Sequence, residues 1–80
     1  MSPIHVPQPL TSFAAGVMVH LSFFALGDPE AQRLRELGVI EGNVIHVLKN
    51  GDTFVCCVES SRIALRREVA MNVFATPSIV

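Results

Sequence analysis

The run Gly27-Asp28-Pro29-Glu30-Ala31-Gln32-Arg33-Leu34-Arg35-Glu36-Leu37-Gly38 carries its own start and stop signals. Asp28 suits a helix N-cap. Pro29 fits the first helical position, where no N–H is needed, and Glu30 places negative charge in the first turn. Ala31, Leu34 and Leu37 recur every three residues and share one face, so Leu34 and Leu37 are expected in the core. Gly38 supplies the left-handed residue that ends helices. A helix of about three turns does not persist alone in water, so it must pack on whatever flanks it.

What flanks it reads as strands. In residues 17–24, Val17, Val19, Leu21 and Phe23 alternate on one face, with Met18, His20, Ser22 and Phe24 on the other. Residues 43–49 alternate in the same way, with Val44, His46 and Leu48 opposite Ile45 and Val47. Asn50-Gly51 then signals a type I′ hairpin with positive φ at both positions. Further strands are expected at 54–59, 62–65 and 72–75, with a turn at Ser60-Ser61 and short helical turns at 10–16 and 66–71. Residues 1–9, with three prolines, are expected to form a flexible arm, 10–75 the folded domain and 76–80 a tail. The pattern predicts a mainly β fold: a small, strongly bent antiparallel barrel of about five strands with one inserted α-helix. Closure would remove the sheet edges that invite aggregation.

Composition narrows the function. Eighty residues form one domain, and half of them are hydrophobic. So short a chain has little interior, and two readings stand level: a densely packed core, or an apolar surface that meets a partner. The net charge is −1, with neither Trp nor Tyr, which argues against a nucleic-acid partner. Cys56 and Cys57 are adjacent and suit a reducing compartment, so a cytoplasmic protein is expected. The apolar region 13–26 is too short to span a bilayer and is interrupted by His20 and Ser22.

The candidate metal ligands are His5, His20, His46, Cys56 and Cys57. None of them falls in C-x₂-C or H-x₃-H spacing, so neither a metal site nor a cofactor is expected. Catalysis is not expected either. The cysteines lack a positioned base, and no glycine-rich phosphate loop is present. Arg33, Arg35, Arg66 and Arg67 are the candidate partner-binding residues, since guanidinium groups recognise carboxylates. The plainer reading is a solvated face with Glu36 and Glu68 as counter-charges.

The run Arg33-Leu34-Arg35-Glu36-Leu37-Gly38-Val39-Ile40-Glu41-Gly42 resembles the RLxELGhxxG signature of the FeoA family, where h is apolar. Ile63-Ala64-Leu65-Arg66-Arg67-Glu68-Val69-Ala70, followed by Val73, is similar to that family's closing pattern. Leu10-Thr11-Ser12-Phe13 and Gly16 match its opening. Glu41 departs from the pattern, standing where relatives commonly carry proline, and the loop at Asn50-Gly51-Asp52-Thr53 is shorter than usual. The resemblance implies an SH3-like barrel. It also implies a small cytosolic accessory protein of ferrous iron uptake that associates with the cytoplasmic region of the membrane permease FeoB, and so meets the membrane only through that partner. A second copy of the chain is the other candidate partner. The alternative is a regulatory module acting on a metal-responsive repressor or on nucleic acid, since such domains also end repressors of that kind. A chain that starts at its own methionine, with no room for a DNA-binding domain, is expected to be the free-standing form.

Overall fold

The computed structural model describes residues 6–78. Six strands form one antiparallel sheet in the order β1-β6-β2-β3-β4-β5. They are β1 (Gln8–Pro9), β2 (Met18–Phe24), β3 (Val44–Asn50), β4 (Thr53–Val58), β5 (Ser61–Arg66) and β6 (Val73–Pro77). A 3₁₀ turn (Leu10–Ser12) follows β1, α1 (Asp28–Glu36) joins β2 to β3, and α2 (Arg67–Ala70) joins β5 to β6.

The sheet is not closed, which corrects the expected SH3-like barrel of about five strands. Its ends, β1 and β5, do not pair with each other. The physical reason lies in β1. It is two residues long, and Pro9 has no N–H to donate, so it cannot offer β5 a ladder. The space at that end is filled by packing instead: α2 lies against β4, β5 and the 3₁₀ turn, with Leu10 and Ala70 fully buried. Gln8 and Pro9 pair with Ala75 and Phe74, and β6 reaches Pro77. Residues 1–5 of the expected arm, His5 among them, and the last two residues of the tail lie outside the described residues.

The core is formed by the inner face of the sheet. Val19, Leu21, Ile45, Val47, Phe54, Cys56, Val58, Ile63, Leu65, Val73 and Ala75 point inward at every second residue, as half-buried strands require. No buried polar or charged side chain occurs among the described residues. Two bulges break the alternation. One lies between Leu21 and Phe23 on the β6 side of β2, and the other between Val47 and Lys49 on the β4 side of β3. An extra residue reverses which face follows it. Phe24 therefore turns inward against the core, while Phe23, which alternation puts on the face of Val19 and Leu21, is 46% exposed. Phe23 stacks on Phe74 of the neighbouring strand, ring centroids 4.8 Å apart.

α1 ends in a full Schellman motif. The N–H of Val39 donates to the carbonyl of Leu34 (2.9 Å) and that of Gly38 to Arg35 (3.0 Å), with Gly38 at φ +97°. The reversal folds Val39 back over Leu34, and both are buried. Leu37 is left outside at 50% exposure, which corrects its expected place in the core. The three-residue spacing counted Leu37 onto the inner face, but the helix stops before that position and Val39 takes its place.

The turn at Asn50-Gly51 is also not type I′. Neither residue is among those with positive φ. Asn50 pairs with Phe54, so three residues rather than two lie between the paired positions. The Asn50 amide instead donates to the carbonyls of Thr11 (2.9 Å) and Phe13 (2.7 Å), fastening the 3₁₀ turn to the sheet. The left-handed residue falls in the next hairpin, at Glu59 (φ +56°), between the paired Val58 and Ser61.

Candidate functional site

A surface groove lies between α1 and β5. Glu30, Arg33, Leu34 and Leu37 of the α1 segment form one wall, Ala64, Leu65 and Arg66 of β5 the other, and Val69 of α2 the end. Its volume is about 190 Å³. Leu34 and Leu65 form a floor continuous with the core, Leu37 stands exposed above it, and Arg33 and Arg66 border it. An apolar floor with cationic borders can take an apolar side chain while ion-pairing with carboxylates beside it.

The four candidate arginines fall into two kinds. Arg33 and Arg66 border the groove, and Arg66 also lines a neighbouring hollow with Leu26, Glu30, Glu68, Val69 and Asn72. Arg35 and Arg67 are engaged within the chain. Arg67 donates to Asn50 Oδ1 (2.8 Å) and to the Gly51 carbonyl (2.9 Å). Arg35 donates from Nε to Glu41 Oε1 (3.1 Å) and from Nη2 to Oε2 (2.7 Å), and its guanidinium lies 5.2 Å from the centre of the Phe24 ring. A bidentate pair of this geometry fixes the loop after α1 against the helix. Sequence reasoning missed it, although Glu41 in place of proline was the visible signal.

The Arg35 hydrogen bonds hold the Glu41 carboxyl down at about 2, against an ordinary value of 4.5. A carboxylate whose pKa is lowered by folding contributes stability above its ordinary pKa, and that contribution is lost as pH falls. The Tm difference between the protein and its Glu41→Gln variant is thus expected to be constant above pH 4.5 and to shrink between 4.5 and about 2. Thermal melts across that range check it, and a difference independent of pH would show that the pair contributes nothing.

His20 and His46 lie on adjacent strands of the outer face, opposite Val44 and Met18 respectively. Cys57 lies directly across from His46. Cys56 points the other way and is buried, and desolvation, with a smaller effect from neighbouring Cys57, pushes its thiol up to about 11. Such a thiol is inert as a nucleophile at neutral pH. Among the described residues no three His, Cys, Asp or Glu side chains come together as a metal site. No helix of the described residues is long and apolar enough to cross a membrane.

An apolar core and an open surface groove bordered by arginines define a small domain with no catalytic constellation among its described residues. The comparisons place it further. The FeoA domain family matches residues 8–77. A crystal structure of an iron uptake regulatory protein (FeoA) superposes with a TM-score of 0.82 at 21% identity, covering 91% of this chain and 100% of that one. FeoA from Chlorobium tepidum gives 0.83 at 21%, covering 90% and 71%. IdeR from T. acidophilum gives 0.84 at 22%, covering 98% of this chain but only 37% of that protein. At these identities the structural likeness speaks to the fold. No curated protein matches the chain. The chain belongs to the FeoA family, whose members are non-catalytic accessory proteins of iron uptake.

Proposed function

We propose that this domain is a cytoplasmic accessory protein that binds a cytoplasmic segment of the ferrous iron permease FeoB and so regulates uptake. The groove between α1 and β5 is the contact, and it takes an apolar side chain flanked by carboxylates. The observation that carries this reading is Leu37, a large apolar side chain held half in solvent on the wall of a groove that Arg33 and Arg66 also line. Family membership supports the choice of partner. The reading assigns Arg33 and Arg66 to contact, and Arg35 and Arg67 to holding the loops that frame the groove.

Arg33→Glu combined with Arg66→Glu tests it. Both side chains are exposed and neither makes a hydrogen bond or ion pair among the described residues, so the fold should survive, as checked by circular dichroism. Capture of FeoB from solubilised membranes should fall by at least about tenfold, chiefly through slower encounter and lost charge pairing. Capture equal to that of the unmodified protein would place the contact on another face.

A further inference from the structure

The outer face of the sheet holds a row of donor atoms that has no part in the groove. Met18 of β2 pairs directly with His46 of β3, and His46 pairs directly with Cys57 of β4. Directly opposed residues on an antiparallel pair have Cβ atoms about 4.5–5.5 Å apart. A thioether, an imidazole and a thiol therefore stand side by side across three strands. All three line one open cavity of about 460 Å³, with Asn43, Val44, Val58 and Glu59 as the remaining wall. None of the three is buried: Met18 is exposed, and His46 and Cys57 are partly so.

We propose that Met18 Sδ, the His46 imidazole and Cys57 Sγ form a binding site for a soft monovalent cation of the Cu(I) class. The donor set decides the class of metal. Thiolate and thioether together select Cu(I), whereas ferrous iron favours imidazole with carboxylate. A closed zinc site takes four nitrogen, sulfur or carboxylate donors. Glu59 borders the cavity, but His46, Cys57 and Glu59 do not come together as a ligand group among the described residues, whereas the Met18 thioether stands opposite His46 on the same wall. Val44 supplies apolar wall, which suits a cation of low charge.

Binding involves no change of oxidation state. The Cys57 thiol now hydrogen-bonds the Glu59 carbonyl, Sγ to O 3.3 Å. As the sulfur–metal bond forms, the thiol proton passes to solvent, and the exposed carbonyl takes a water molecule in its place. Affinity therefore rises with pH.

The test is an anaerobic titration of the full chain with Cu(I) in competition with a chromophoric Cu(I) chelator. The expected result is one Cu(I) per chain with no change in oligomeric state by sedimentation. Cys57→Ser and His46→Ala should each weaken binding by at least about 100-fold, and Met18→Leu by about 10-fold, on the scale that removing even outer partners of metal ligands sets. Cys56→Ser, on the buried face, should leave affinity unchanged. Because all three ligand positions face outward, circular dichroism should show each variant folded. Equal affinity in Cys57→Ser or Met18→Leu would overturn the site. So would binding seen only as two chains bridged through Cys57.

Discussion

Phe54→Ala is expected to leave the protein largely unfolded at 37 °C. Phe54 is the bulkiest of the fully buried side chains. It sits near the start of β4, paired with Asn50 on one side and Leu65 on the other, with its ring fully buried in the core. Truncating a buried Phe to Ala costs about 3–5 kcal/mol, through lost transfer energy and the cavity left behind. An 80-residue domain holds only about 4–12 kcal/mol in total, at about 0.05–0.15 per residue. The surroundings have little means of collapsing into the gap, since neighbours on both sides are fixed by strand pairing. Urea unfolding monitored by circular dichroism should show the midpoint lowered by at least about a quarter. A shift below about 1 kcal/mol would mean that the centre of the core lies elsewhere.

Gly38→Val is expected to produce the second-largest loss, about 1–3 kcal/mol, and by a different route. Space is not the obstacle: a Cβ at Gly38 would meet Val58 Cγ1 at 3.7 Å, an ordinary contact. The obstacle is φ at +97°, which a β-branched residue adopts only under strain. Relieving that strain would undo both Schellman hydrogen bonds and lift Val39 off Leu34. The variant should therefore lose stability and also expose part of α1 to amide exchange before global unfolding. Gly51→Val makes the contrast. Gly51 has no positive φ, and a Cβ there meets only the end of the Lys49 side chain and the Thr53 carbonyl at ordinary distances, so it should cost far less.

The same positions show what the sequence made legible. Strand positions and inward residues such as Val19, Leu21, Ile45 and Val47 follow from simple alternation, because each strand has one wet face. Phe23 and Phe24 exchange faces because a bulge adds a residue without any residue type that marks it. Leu37 was misplaced by treating α1 as an ideal helix through its last turn. The available signal was the pair Gly38-Val39, since an apolar residue just after the C-terminal glycine is the one that packs back on the helix. Asn50-Gly51 misled because a local turn preference competed with a long-range use of the Asn50 side chain, which holds residues 37 and 39 positions away. Barrel closure was not legible at all. It depends on how a two-residue strand meets the far edge, and strand count carries no information about that. The groove brings together residues of α1, β5 and α2, so sequence pointed to arginines but could not separate the two at its border from the two engaged within the chain.

The central claim is that Leu37 belongs to a partner rather than to the core. Titration calorimetry of Leu37→Ala against the cytoplasmic region of FeoB, paired with a thermal melt of the variant alone, tests it most directly. The account predicts stability within about 0.5 kcal/mol of the unmodified protein, as for an exposed position, and affinity lower by at least about tenfold, as for a central apolar anchor. Unchanged affinity in a stable variant would contradict it, as would a variant that unfolds before it can be titrated.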